Sequence, residues 1–212
     1  MTDSRALARF RATYSRAEAL CDLYARLLRI RLQQAPNRFQ HSDIADLLRS
    51  SVVLSVAAMD SYFTNRFIEM LVPFLKKRGP TDALVGLLNK AGLDTKAALE
   101  MLAMERPYRR VRTLIEAHLE TVTTQRAQVI DELFLAYGLK DFTHHCQRRL
   151  KRTTLAGSVN RLVERRHCIV HEGDLNSHGR LRPLERGDVV KRMQHLRALV
   201  ESAHVLSEAR VS

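Results

Sequence analysis

The period of its apolar residues is what most constrains this chain. Ile44, Leu47, Leu48, Val52, Leu54, Met59, Phe63, Phe67 and Leu71 recur mostly at three- to five-residue steps, the spacing that lines up side chains along one face of an α-helix. Similar stripes run through residues 155–170 and 189–209, whereas two-residue alternation is rare. The pattern predicts an all-α helical bundle. Its 212 residues, 45% hydrophobic and 27% charged, suit a single domain with its own core and exclude disordered and fibrous classes. No apolar run nears the ~18 residues of a membrane span, because the best attempt, 52–59, stops at Asp60. The opening MTDSRALARF has no apolar block of the signal-peptide kind. Cys21, Cys146 and Cys168, odd in number and widely spaced, form neither a disulfide framework nor a CxxC finger. A reducing, cytoplasmic setting without a membrane partner is therefore expected.

Breakers and caps divide the chain. A first helix is expected over about 4–34, ending before Pro36, and residues 1–36 could pack on the core or on a second copy. The core proper is expected over 43–209. Ser42 or Asp43 can cap a long second helix that Pro73 kinks or ends and Gly79-Pro80 closes. Thr81 and Asp94 suit the N-caps of short helices over 82–89 and 95–104. Pro107 opens another long helix reaching Gly138. Residues 143–152, with His144-His145-Cys146, read as a mobile basic connection. A helix over 155–170 follows, stopped by Gly173, then a long polar loop over 173–188 and a last helix over 189–209.

The charge balance limits partners. Lys+Arg 35 against Asp+Glu 23 gives +12, which favours polyanions and above all nucleic acid. Between Phe142 and His171 stand Arg148, Arg149, Lys151, Arg152, Arg161, Arg165 and Arg166 against Glu164 alone, a local +6. Such residues grip backbone phosphates without reading sequence. Arg106, Arg109, Arg110 and Arg112 form a second cluster. The chain has no Trp, and only Phe142 lies in the richest stretch, so base stacking is not expected.

One helix breaks its own pattern. At about 100° per residue, Leu155, Val159, Leu162, Val163, Ile169 and Val170 share an apolar sector with Arg166 at its middle. Either that guanidinium snorkels or pairs with an acid such as Asp60, or it faces a groove where a phosphate or partner meets it. Asn160, Glu164, His167 and His171 form a separate polar line. His167 and His171, four apart, with Glu164 and Asp174 nearby, have a spacing able to hold zinc. No HExxH pattern and no cysteine at ligand spacing accompanies them, and the expected reading is no metal and no cofactor.

The segment Arg166-His167-Cys168-Ile169-Val170-His171 resembles the Arg-x4–6-His motif of HEPN domains. Its context, LVERRHCIVHEGDLNSHGRL, is similar to the RiboL-PSP-HEPN branch, where Arg-Asn-x-Ile-Val-His before a Gly-Asp turn is usual; here His167 stands in place of the Asn. VVLSVAAMDSYFTNRFIEML and GDVVKRMQHLRALVESA are similar to that branch's earlier and last helices. The likeness spans roughly residues 43–206 and is weakest over 79–150. It implies a HEPN-like bundle with a long loop after the motif helix, and a homodimer that brings two motifs into one cleft. It further implies metal-independent endoribonuclease action by 2′-OH attack to a cyclic phosphate, in a toxin–antitoxin or anti-phage setting with an antitoxin or regulator as partner. The family also has catalytically silent members, so an RNA-binding or partner-binding module is the alternative.

By that resemblance His171 is the general acid/base, Arg166 the phosphate ligand and His167 a polar support. Asp60 is a candidate for orienting Arg166 or a histidine, and Glu164 and Asp174 are further supporting residues. Histidine suits proton transfer near neutrality, and the planar guanidinium suits a charged phosphorane. Arg166 and His171 lie about 140° apart around a helix and ~7.5 Å along it, so one narrow face does not hold both.

Overall fold

The computed structural model describes residues 4–33 and 41–211. Nine α-helices account for about four-fifths of these residues: α1 (Arg5–Gln33), α2 (His41–Arg78), α3 (Asp82–Lys90), α4 (Thr95–Leu102), α5 (Pro107–Leu119), α6 (Ala127–Phe134), α7 (Phe142–Arg149), α8 (Leu155–Glu172) and α9 (Arg186–Val211). A 3-10 turn, Leu135–Tyr137, extends α6, and Leu175 and Leu181 form an isolated bridge in the loop before α9. The expected all-α class is observed. No helix among the described residues is long and apolar enough to cross a membrane.

The second helix is the axis. Leu48, Val52, Val56, Met59, Phe63, Phe67, Met70 and Phe74 of α2 are buried, and α1, α8 and α9 pack along it. Burial of this stripe supplies the main folding drive. Small residues let the neighbours approach: Ala6, Ala17 and Cys21 of α1 are buried, and the Cys21 thiol meets the Ser51 hydroxyl at 3.2 Å. At the start of α1 the Glu69 carboxylate accepts from the Ser4 hydroxyl and the Ala6 N–H, both at 2.7 Å. It thereby satisfies donors that a helix start leaves open. The first helix is thus part of the monomer's own core. Its expected end before Pro36, and a cap by Ser42, fall outside the described side chains; Asp43 lies inside the first turn of α2.

Three expectations are narrowed or corrected. Pro73 does not end α2, which continues to Arg78. Pro73 is exposed while Leu71 and Phe74 are buried, so the lost backbone bond falls on the wet side, where water replaces it. The helix opened by Pro107 ends at Leu119 and does not reach Gly138. It is followed by Thr121, Val122, Thr123 and Thr124, β-branched residues of weak helix preference, and Asp60 captures the Thr124 N–H at 2.7 Å. Residues 143–149 are helix α7 rather than a mobile connection. Phe142 stacks on Phe134 with ring centroids 4.7 Å apart, Cys146 is buried, and Asp131 accepts from the Thr143 N–H and hydroxyl at 2.6 and 2.8 Å.

Candidate functional site

Helix α8 carries the motif, and its two halves differ. Leu155, Val159, Leu162 and Val163 are buried, but Ile169 is only half-buried and Val170 is exposed. The last turns leave the core, so the apolar sector that holds Arg166 opens toward solvent. Gly173 ends the helix at φ +63°, and the N–H groups of Gly173 and Asp174 both turn back to the Cys168 carbonyl. A side chain at that φ is strained, which is why glycine suits the position.

Arg166, His167 and His171 line one cleft of about 430 Å³, with Val163, Glu164 and Cys168 on the same wall. Thr123, Gln125, Arg126 and Val129 form the other wall. The imidazoles of His167 and His171 lie with centroids 4.6 Å apart and planes tilted by 42°, and both residues are exposed. Arg166 is half-buried and has no ion pair or hydrogen bond among the described residues. A long side chain spans what helix geometry separates, so Arg166 and His171 reach the same cleft despite their angular offset. Glu164 is exposed and lines both this cleft and a larger one of about 630 Å³ across α8.

Asp60 does not pair with Arg166. Its carboxylate accepts from the Thr124 N–H and hydroxyl, each at 2.7 Å, and from the Gln125 side-chain amide at 2.9 Å. An acid in an apolar helix must find donors, and these come from the loop between α5 and α6. The expected orienting role is corrected: Asp60 holds the opposite wall of the cleft, where Gln125 sits. Asn160 of α8 ties the same wall by accepting from the Ala127 N–H at 3.5 Å. Gln125 and Arg126 were not legible from sequence, because they reach the motif from about forty residues upstream. The one signal was Asp60, a carboxylate where the stripe demands an apolar residue.

Asp174 lies inside the protein. It is fully buried, at 0% exposure, and its Oδ2 accepts from Arg49 Nε at 2.7 Å and from an Arg165 amino group at 2.9 Å. Its backbone carbonyl takes the Arg182 N–H at 2.8 Å. Arg165 further donates to the carbonyls of Arg182 and Pro183, both at 3.0 Å. Two arginines and one aspartate thereby clamp the end of α8 and the following loop to α2. Arg165, expected to grip RNA, is committed inside the protein. Asp174 anchors the helix end that carries His171 and is unavailable as a metal ligand. Among the described residues no group of three or more His, Cys, Asp or Glu is placed to hold a metal.

The other expected phosphate ligands lie open. Arg148, Arg149, Lys151, Arg152 and Arg161 are exposed and have no carboxylate partner among the described residues. In the second cluster Arg112 pairs with Glu116 at 2.7 Å, and Arg106, Arg109 and Arg110 are exposed. Two thiols are inert fillers: burial pushes Cys146 up to about 12 and also raises Cys21. Cys168 differs, lying half-buried between the clefts with its sulfur 2.9 Å from an Arg182 amino group.

No protein-family model, no curated protein and no solved structure matches this chain.

Proposed function

We propose that this protein is a HEPN-like, metal-independent endoribonuclease. The observation that carries the reading is the cleft holding an unpaired guanidinium, Arg166, beside two contacting imidazoles, His167 and His171. An arginine left in an apolar sector without a carboxylate is costly, and an anionic ester would relieve that cost. In the reaction the 2′-oxygen attacks the adjacent phosphorus while the bond to the 5′-oxygen breaks. One imidazole takes the 2′-hydroxyl proton, and a protonated imidazole gives a proton to the departing oxygen. Arg166 donates to the phosphorane, and a 2′,3′-cyclic phosphate and a 5′-hydroxyl remain.

His171 is the proposed acid/base and His167 its support, with a second His171 supplied by a partner copy. Val170, Leu175 and Leu181, each exposed by 42–46%, flank the motif along the chain and suit such a contact. A toxin or anti-phage role, with an antitoxin or regulator, belongs to the same proposal.

Purified protein incubated with RNA and EDTA tests the reading. Cleavage that persists under chelation and vanishes in Arg166→Ala and His171→Ala supports it. Intact RNA across varied substrates supports a silent binding module, and loss of activity on chelation overturns metal independence. Mixing the two inactive variants tests the shared cleft: restored activity requires contributions from both copies.

A further inference from the structure

We propose that Arg152, Lys191 and Arg192, gathered around His195, form a second phosphate-binding site that holds the RNA strand whose scissile phosphate lies at Arg166. The proposal rests on the nuclease reading for its scissile end and on the observations below for the second end.

Two segments build this site. Arg152 lies in the turn between α7 and α8, and Lys191, Arg192 and His195 lie on the first turns of α9, at spacings that share one side of a helix. His195 is half-buried, and burial first, then the nearby positive charges of Arg152, Lys191 and Arg192, hold it below its ordinary value. Its Nδ1 is buried without a hydrogen-bond partner among the described residues. Arg152, Lys191 and Arg192 likewise have no ion pair there. Surfaces that merely need solubility intersperse the two signs; three cations near one imidazole, none of them in an ion pair among the described residues, create a concentrated positive field.

Through Arg192 the site borders a larger cleft that adjoins the motif cleft across α8. Arg192 and Arg161 line the same larger cleft between α8, α9 and the preceding loop. That cleft shares Glu164 and Cys168 with the motif cleft. Its remaining acids, Glu185 and Asp188, sit at the start of α9, one turn before Lys191 and Arg192. The path thus runs from Arg152 past Arg161, across α8, to Arg166 and His171. The 18 residues of α8 measure about 27 Å at 1.5 Å per residue. A strand stacked at about 3.4 Å per phosphate would cover that with roughly eight nucleotides, within the range of single-strand grooves. The chemistry recognised is the repeating phosphodiester, not a base.

Fluorescence anisotropy at low salt, on a His171→Ala background that leaves RNA uncut, tests the site with a labelled 20-nucleotide RNA and a trinucleotide. Arg152→Ala/Lys191→Ala/Arg192→Ala should weaken the long RNA at least tenfold. It should also lower the salt slope by about 2, three phosphate contacts at ~0.7 each, and leave the trinucleotide unchanged. Arg152→Ala/Lys191→Ala, which alters only exposed side chains, should show an intermediate loss, and Arg109→Ala/Arg110→Ala a smaller one. An unchanged long-RNA affinity and salt slope overturns the proposal, as does equal weakening by the α5 control or equal loss of the trinucleotide. Parent protein that cuts nothing while the triple variant loses long-RNA affinity keeps this site and removes the nuclease. Parent protein that cuts RNA with a KM unchanged in the triple variant does the reverse.

Discussion

Arg165 and Arg166 are adjacent on one helix and have opposite fates. Arg165 reaches a fully buried Asp174 and two loop carbonyls, while about 100° around the helix Arg166 lines an open cleft without a partner among the described residues. One side of α8 is architecture and the other is available for chemistry. The contrast teaches that a basic residue is defined by what stands opposite it. Asp174 and Arg49 close one face; Gln125, Arg126 and Thr123 face the other across free volume.

The largest expected effect lies on the open face. Arg166→Ala and His171→Ala should each lower RNA cleavage by about 10²–10⁴-fold, the usual worth of a positioned acid/base or charge donor, with melting temperatures close to the parent's. Arg165→Ala should instead lower the melting temperature. If Arg166→Ala destabilises the fold as much as Arg165→Ala, the two faces are not distinct.

Next in size is the packed face. Asp174→Ala removes the carboxylate shared by buried Arg49 and half-buried Arg165, and breaking such a network costs up to about 3 kcal/mol, readable in urea unfolding. Asp60→Ala acts on the wall instead. It removes three charge-assisted bonds to Thr124 and Gln125, at about 2 kcal/mol, and should reduce cleavage by displacing Gln125. Unchanged cleavage would mean that Gln125 is a spectator.

Histidines sharpen the same contrast. Burial and the Arg66 guanidinium hold His204 below its ordinary value, partly offset by Glu208. The unfolded chain therefore binds the extra proton more readily than the fold does. This contribution to stability is fully present above about pH 6.5 and is lost as pH falls below it. His204→Gln should flatten that acid-side loss in thermal melts, and His171→Ala should leave it in place. The smallest effect is chemical labelling: a maleimide at neutral pH should modify Cys168 and spare Cys21 and Cys146 until denaturant is added. Equal native labelling of all three would contradict the packing around α1, α2 and α7.

Much of the architecture was legible because helix formation is local. The stripe from Ile44 to Leu71, the caps Thr81 and Asp94, Pro107 at a helix start and Gly173 at a helix end all act within a few residues of themselves, and each sits where the pattern requires. Pro73 left open whether the helix ends there, and its exposed position in the packed helix decides that it does not. The segment after Leu119 misled because the break is enforced by Asp60, some sixty residues earlier in the chain.

By itself, then, the sequence determined a helical bundle, a polar motif at the end of one helix and a surplus of positive charge, since period, caps and composition are properties of neighbouring residues. Which arginine is buried against Asp174, which one is left open, which wall Asp60 builds, and how α9 meets the turn before α8 were decided only by tertiary structure. Ion pairs and clefts form between residues distant in sequence, and their free energy depends on a desolvation that exists only once the helices have packed.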